Sequence, residues 1–297
     1  MTISVVGDGL AGLMLAHRLR EGGSEVTLYG NGSTNTPPVG LVHLFAGRSF
    51  VRSPFELDCF EEAVRHWRSE PLALELPVCR KVAEGSRLQK SLQQTQLPKE
   101  WTPQPDGGEW VRYRPGFSVA AQQLEGRLRT DLGSRYRPGQ VDWKELPGVR
   151  VLALGYRASA EWARDWDLSR GRTVEASGGS VDSLWIGGGV HSAPFPGKAS
   201  VVLGGRSSFN GNCSEDELQI AGALTGEEHR ELSTWSGLRC APRDHRPLLG
   251  WQDDSTFVFV GFGSRALFWL PQCVNLAEAA LRDGSFTLPV ELDLHRV

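Results

Sequence analysis

The N-terminal segment alternates between short apolar runs and an apolar stripe with the spacing of one helix face. Residues Ile3 to Val6 form a β-branched run, and Val26 to Tyr29 form a second one. Between these runs, apolar residues recur at Leu13, Ala16 and Leu19. This order predicts a strand, a helix and a strand. Such a unit of about thirty residues has the length of a right-handed parallel crossover.

Capping signals and apolar stripes predict further elements along the chain. Ser53-Pro54-Phe55-Glu56 combines a capping box with a proline at the first helical position, which predicts a helix over 54–68. A stripe from Ala121 to Leu132 predicts a second helix, and Ser214 to Glu217 form a second capping box. The other predicted strands cover 149–154, 181–186, 200–203 and 256–260, the last followed by a glycine turn and a helix that ends at Gly284. From Glu70 to Pro115 neither period is sustained, so this segment is predicted to be irregular and to face the substrate.

Gly7, Gly9 and Gly12 follow the first predicted strand and open the first predicted helix with the spacing G-x-G-x-x-G. In this context the first glycine permits a tight turn and the second lets the backbone approach a pyrophosphate. The third lets the helix pack closely on the strand, and the helix N-terminus adds N–H groups that bind anions. The motif predicts dinucleotide binding, with Leu10 and Ala11 as further contacts. A glycine-rich turn that binds nothing is the alternative.

The second predicted strand ends Tyr29-Gly30-Asn31, where an acidic residue usually accepts a hydrogen bond from the adenosine ribose. Asn31 or a backbone carbonyl is expected to substitute for that acid. The departure concerns the ribose contact and leaves the prediction of dinucleotide binding in place.

Composition narrows the function classes. The 297 residues include 32 Lys and Arg against 35 Asp and Glu, a formal net charge of −3 that disfavours nucleic acid and anionic membranes as partners. The five cysteines have no CxxC spacing, so neither a disulfide framework nor a metal site is expected. This usage fits a reducing compartment, and Asp8 interrupts the apolar N-terminus, unlike a secretory signal. The predicted location is cytoplasmic, with no membrane association.

The C-terminal third carries motifs that resemble a known family. The runs Trp235 to Arg239, Asp244 to Gly250 and Val258 to Leu267 resemble the C-terminal signature of the D-amino-acid-oxidase-like FAD-dependent oxidoreductases. Within this family, the motifs are most similar to the flavin domain of the bifunctional tRNA wobble-uridine modification enzymes and, next, to glycine oxidases. The resemblance covers roughly residues 1–48 and 235–283 and leaves the middle of the chain unmatched.

The resemblance implies an α/β fold, in which a smaller antiparallel-sheet substrate domain is inserted into a Rossmann-type FAD-binding domain. The expected FAD-binding domain is discontinuous and comprises 1–70, 116–170 and 236–297. The expected substrate domain comprises 71–115 and 171–235.

The resemblance also implies FAD as the cofactor, held at the ends of the predicted strands. Beside the glycine motif and Tyr29 to Asn31, the expected FAD-contacting residues are Gly40, Leu41, Val42, Val141, Ala153, Gly155, Gly261, Gly263, Ser264, Arg265, Ala266 and Leu267.

Three side chains are candidates for chemistry beside the flavin. In the family pattern, an arginine at the position of Arg239 pairs with a substrate carboxylate, for which the guanidinium offers a bidentate fork. Arg265 follows the glycine turn, and His43 lies on a segment that passes under the flavin in the family. For both arginines the alternative is a structural contact. For His43 the alternative, which we favour, is a half-buried histidine bonded to backbone.

The leading hypothesis is an enzyme that oxidises a C–N bond of a small amine or amino acid by hydride transfer to flavin N5. Oxygen or an unidentified acceptor then reoxidises the flavin. A second hypothesis, processing of a modified tRNA base, requires a basic strip, for which Arg127, Arg129, Arg135 and Arg137 are the candidates. A third hypothesis is a non-catalytic FAD-binding protein.

Overall fold

A parallel sheet forms around the predicted crossover unit at the N-terminus. β1 (Thr2–Val6), α1 (Leu10–Glu21) and β2 (Glu25–Gly30) follow one another, and β1 pairs in parallel with β2 and with β8 (Val149–Leu152). Val5 lies opposite Leu28 on one side and Val151 on the other, and all three side chains are buried. The continuous apolar runs of these strands are typical of a parallel sheet that is covered on both faces.

Three more strands complete this six-stranded sheet. They are β7 (Tyr136–Pro138), β14 (Leu248–Asp253) and β15 (Thr256–Val260). The strand order is β14-β15-β8-β1-β2-β7, and only the β14–β15 pair is antiparallel. Five neighbouring strands therefore end at the same edge of the sheet.

The computed structural model describes residues 2–32, 35–46, 53–83, 86, 89–90, 97, 99–106, 109–162, 165–179, 182–208 and 216–296. The chain divides into two compact units. Unit 1 comprises Met1–Thr36, Gln122–Ser169 and Leu238–Val297, and unit 2 comprises Pro37–Ala121 and Arg170–Gly237. Residues 37–70, which the sequence places in the FAD-binding domain, belong to unit 2.

The second sheet has nine strands. Its strands are β3 (Gly40–His43), β4 (Ala73–Lys81), β5 (Gln104–Pro105), β6 (Trp110–Val119), β9 (Trp166–Ser177), β10 (Leu184–Gly187), β11 (Val190–Pro194), β12 (Val201–Ser208) and β13 (Arg230–Pro242). The strand order is β13-β9-β12-β11-β10-β4-β6-β3, and β5 pairs with β6. Where the register is defined, every pair is antiparallel except β4–β10, which is parallel.

The prediction that residues 70–115 are irregular is wrong for β4 and for the part of β6 in this segment. β4 and β6 pair along most of their length, and the register shifts between Leu76 and Val78. Pro77 stands at this shift, where the ladder is already interrupted. Proline within an apolar run argues against a strand when only the sequence is considered. β4 forms a strand because β6 provides its backbone hydrogen-bond partners on both sides of Pro77.

The remaining helices are α2 (Pro54–Ser69), α3 (Ala121–Leu132), the short α4 (Ala158–Glu161), α5 (Asp216–Thr225) and α6 (Ala266–Arg282). The observed bounds of α2 and α3 agree with the predicted helices to within one residue. Ser214 and Glu215 of the second predicted capping box, and Val181 at the start of a predicted strand, lie outside the described residues.

The predicted capping box at α2 is confirmed. Ser53 Oγ accepts a hydrogen bond from the backbone N–H of Glu56 at 3.2 Å, and Glu56 Oε2 accepts one from the backbone N–H of Ser53 at 3.1 Å. Two N–H groups at the start of the helix are thereby satisfied.

We expect Ser53→Ala to lower the free energy of unfolding by about 1 kcal/mol, because the N–H of Glu56 loses its acceptor. Urea denaturation followed by far-UV circular dichroism measures the change. Ser69→Ala at the other end of the same helix serves as the control. The exposed Ser69 hydroxyl donates a hydrogen bond to the carbonyl of His66 and, among the described residues, makes no other. Equal losses in the two variants would contradict a stabilising role of the cap.

Candidate functional site

The predicted cofactor-binding residues of unit 1 gather at the edge where the five parallel strands end. β1 ends at Val6, β2 at Gly30, β7 at Pro138, β8 at Leu152 and β15 at Val260. Open α/β sheets bind ligands outside this edge. The predicted residues that follow these strand ends are Gly7, Gly9 to Gly12, Asn31, Val141, Ala153, Gly155, Gly261 and Gly263 to Leu267.

Gly7 and Gly12 form the tightly packed part of the glycine motif. The backbone N–H of Gly7 donates to the carbonyl of Tyr29 at 2.8 Å, and Gly7 has a φ of +114°. A Cβ atom at Gly7 would overlap the carbonyl oxygen of Ala153, and one at Gly12 would overlap the carbonyl oxygen of Gly7. Both positions therefore require glycine for the fold itself.

Gly9 differs, because a Cβ atom there would meet no described atom within 4 Å. Gly9 is also the N-cap of α1, and no described side chain caps that helix. The first N–H groups of this 12-residue helix therefore have no described side-chain acceptor, and the space beside the Cα atom of Gly9 is open. Such an opening fits the pyrophosphate of a dinucleotide, which needs backbone N–H donors at close range.

At the end of β2, an acidic side chain comes from the motif itself. Asp8 is 5% exposed, and its Oδ2 accepts hydrogen bonds from the N–H of Gly32 at 2.9 Å and from the hydroxyl of Tyr136 at 2.8 Å. A Cβ atom at Gly30 would overlap the side chain of Asp8. Sequence reasoning missed this residue as a site candidate. The sequence did contain a signal for it, because Asp8 is an acidic residue inside the glycine motif and the second strand ends without one.

Arg129 lies beside Asp8. Its Nη2 donates to Glu125 Oε1 at 2.7 Å and to the backbone carbonyl of Asp8 at 3.1 Å, and it is 3.7 Å from Asp8 Oδ2. Burial alone lowers the pKa of Arg129, but the hydrogen bond and charge of Glu125, with Asp8 and Tyr136, raise it overall. Burial and the hydrogen bond to Asp8 raise the pKa of Tyr136. Arg129 is thus engaged by carboxylates and does not extend a basic strip.

The glycine turn after β15 packs against the end of β13. Gly261 and Gly263 have φ values of +83° and +55°. A Cβ atom at Gly261 would come within 2.8 Å of Pro242, and one at Gly263 within 2.9 Å of Ala241. The turn leads into α6, whose N-cap residue is Arg265.

The two predicted arginines both lie near this turn in unit 1. Arg239 stands on β13, two residues before Ala241, and is half-buried. Arg265 is buried, donates from Nη2 to the carbonyl of His245 at 2.7 Å and lies 5.1 Å from the ring centroid of Trp269. These contacts account for a structural role of Arg265, and a role of either arginine toward substrate or flavin stays a prediction.

His43 and the segment Gly40 to Val42 belong to unit 2. This segment is β3, which pairs with β6. His43 is buried, and its Nδ1 lies 3.0 Å from the hydroxyl of Tyr113. The histidine thus has a buried side-chain partner, whereas the sequence suggested a backbone group. Tyr113 was not singled out, because it lies in the segment predicted to be irregular.

Cys240 follows Arg239, and its thiol is buried. Burial, with a smaller effect of the Asp167 charge, raises the pKa of Cys240 from 9.0 to about 12. The folded state therefore keeps a proton that the unfolded state releases above pH 9.

We expect the free energy of unfolding to fall between pH 9 and about 12, and Cys240→Ala to reduce that slope. Urea midpoints across this range measure the effect. The two proteins are compared by the slope of the free energy of unfolding against pH, because alanine also removes packing contacts and so lowers stability at every pH. Identical slopes in the two proteins would show that Cys240 does not retain its proton on folding.

The described residues contain no cluster of three or more His, Cys, Asp or Glu side chains placed to hold a metal ion. Among the same residues, no helix combines the length and the apolar character that crossing a membrane requires.

Comparison with known proteins gives matches by structure alone. No protein-family model and no curated protein sequence matches this chain. Iminodiacetate oxidase from Chelativorans sp. BNC1 superposes with a TM-score of 0.77 at 14% identity, over 97% of both chains. Glycine oxidase from Geobacillus kaustophilus gives a TM-score of 0.74 at 17% identity, over 99% of this chain and 98% of the other.

A third similar structure is L-amino acid deaminase from Proteus vulgaris without its specific insertion, with a TM-score of 0.77 at 13% identity, over 99% of this chain and 93% of the other. These likenesses extend through the middle of the chain, where the sequence motifs give no match. They confirm the predicted fold class: the chain has the fold of the D-amino-acid-oxidase-like FAD oxidoreductases.

Proposed function

We propose that the protein is an FAD-dependent oxidoreductase that oxidises a C–N bond of a small amine or amino acid. The observation that carries the proposal is the opening at Gly9, at the carboxyl edge of the parallel sheet, in a fold shared with amine and amino-acid oxidases. When bound, FAD would accept a hydride from the carbon that bears the nitrogen, and water would hydrolyse the resulting imine.

Two helix N-termini would hold the cofactor. The first turn of α1 would donate N–H groups to the pyrophosphate at Gly9. The turn Gly261 to Leu267 would lie against the flavin, where the positive end of α6 would stabilise negative charge at the N1–C2=O edge. Each glycine with positive φ in this turn lets the backbone pass β13 closely.

Arg239 would bind the carboxylate of an amino-acid substrate. Ala241 and Pro242, which follow Arg239 on β13, lie against the glycine turn, so the backbone of Arg239 is close to that turn within unit 1. A guanidinium binds a carboxylate through two parallel N–H donors. No general base is needed for hydride transfer from a neutral amine, which is consistent with the pairing of His43 to Tyr113.

The tRNA hypothesis has less support from the contacts. It requires a basic strip that includes Arg129, whose guanidinium instead faces Glu125 and Asp8. Loss of one cation from the strip weakens the phosphate binding on which the hypothesis depends.

The test begins with the absorbance spectrum of the purified protein and the identity of the flavin released by denaturation. Anaerobic titration with amines and amino acids, including glycine and iminodiacetate, then follows bleaching of the oxidised flavin. Bleaching that depends on substrate concentration supports the proposal. A protein that neither contains nor takes up FAD would overturn it. Bound FAD that no compound reduces would favour the non-catalytic hypothesis.

A further inference from the structure

We infer, on the basis of the proposed FAD binding, that Asp8 supplies the carboxylate that accepts a hydrogen bond from the 2′-hydroxyl of the adenosine ribose. The side chain thus replaces the acid that the end of the second strand lacks. The binding residue would come from within the glycine motif.

The first argument is the position of the carboxylate. In dinucleotide-binding crossover units, the ribose lies at the carboxyl end of the second strand, where a strand-end acid reaches its hydroxyls. The side chain of Asp8 occupies the space over the Cα atom of Gly30, since a Cβ atom there would overlap the Asp8 side chain. The carboxylate therefore stands where the side chain of a strand-end acid would begin. Only a glycine at position 30 leaves room for the side chain of Asp8.

The second argument is the hydrogen-bonding capacity of the two oxygens. Oδ2 accepts from the N–H of Gly32 and the hydroxyl of Tyr136, which fixes the orientation of the carboxylate. Among the described residues, Oδ1 accepts no hydrogen bond. An ionised carboxylate has acceptor sites on both oxygens, so Oδ1 retains the capacity for a ribose hydroxyl.

The third argument is the charge around the site. Arg129 Nη2 lies 3.7 Å from Asp8 Oδ2, and its other carboxylate partner is Glu125 at 2.7 Å. The arginine thus stabilises a carboxylate that is almost fully buried. A hydroxyl ligand adds a donor without adding charge, which suits a carboxylate that already has a cation beside it.

The experiment compares two ligands on the apo form of the full chain: FAD, and an FAD analogue whose adenosine lacks the 2′-hydroxyl. Quenching of flavin fluorescence gives both dissociation constants. We expect the wild type to bind the analogue about tenfold more weakly, because a hydrogen bond to a charged acceptor is lost. We expect Asp8→Asn to bind FAD about tenfold more weakly and to distinguish the two ligands less than about threefold. The amide oxygen takes the place of Oδ2, where two donors need an acceptor, so the amide nitrogen faces the ribose.

Asp253→Asn is the matched control. Asp253 accepts from the backbone N–H of Ser255 at 2.9 Å and lies 3.7 Å from Arg150, so it resembles Asp8 in its partners. It stands at the opposite edge of the sheet, because β14 runs antiparallel to β15. This variant should bind both ligands as the wild type does.

Two results would overturn the inference while leaving FAD binding intact. One is a wild type that binds FAD and the analogue equally, a comparison that requires no variant to fold. The other is an Asp8→Asn protein that discriminates between the ligands as strongly as the wild type. A wild type that binds neither ligand would instead overturn the proposed function, and with it the ribose contact.

Discussion

Replacing Gly9 with valine is expected to abolish FAD retention while the chain stays folded. A Cβ atom at Gly9 would meet no described protein atom within 4 Å, and the φ of −73° is open to any residue. The valine would occupy the space in which the pyrophosphate approaches the backbone, so the steric penalty falls on the ligand. We expect the dissociation constant for FAD to rise by roughly 100-fold or more. The ratio of flavin to protein absorbance measures retention, and circular dichroism verifies the fold.

Gly7→Ala is the contrasting variant. Its Cβ would overlap the carbonyl oxygen of Ala153, and the φ of +114° is unfavourable for an L-residue, so it should lose thermal stability whether or not FAD is added. A Gly9→Val protein that is purified yellow and fully loaded would show that the pyrophosphate lies elsewhere. A Gly9→Val protein as unstable as Gly7→Ala would show that the opening has a role in the fold.

Replacing Arg239 with alanine is expected to lower kcat/KM for an amino-acid substrate by about 2–5 kcal/mol of transition-state free energy. The reason is the loss of a bidentate partner for the substrate carboxylate in a half-buried position. Arg239→Lys should restore little, because an ammonium replaces the planar fork by a point charge. Stopped-flow reduction of the flavin under anaerobic conditions, with a substrate identified by bleaching, measures each variant.

Two controls separate carboxylate binding from a general loss. An analogue without the carboxylate should react equally slowly with the wild type and with Arg239→Ala. Arg230→Ala, at the exposed start of the same strand, should react as the wild type does. If Arg239→Ala reduces as fast as the wild type with every active compound, Arg239 is structural and a plain amine becomes the better substrate hypothesis.

Local patterns in the sequence determined the elements that need only near neighbours. The first helix with its glycine motif, the capping box at Ser53 and the glycine turn after β15 each lie within a short stretch of the chain. Their geometry follows from backbone sterics and from hydrogen bonds made inside one turn. The fold class followed from the resemblance of the sequence motifs to the D-amino-acid-oxidase-like FAD-dependent oxidoreductases.

Pairing between distant segments was decided only by the tertiary structure. β4 and β6 each contain a proline, and their apolar and polar residues do not alternate regularly. They form strands because each provides the backbone hydrogen-bond partners of the other. The long strands β9 and β13 were missed for the same reason, since a strand is stabilised by its neighbours more than by its own sequence. Tertiary pairing therefore adds strands that the sequence did not predict.

The chemistry of single side chains likewise depended on contacts far apart in sequence. Asp8 reaches Tyr136, His43 reaches Tyr113, and Arg265 reaches the carbonyl of His245. Residue type alone showed which groups could donate, accept or carry charge. Which of them meet was determined by the packing of the sheets, because a hydrogen bond needs its partner within about 3 Å and a local pattern carries no information on that distance.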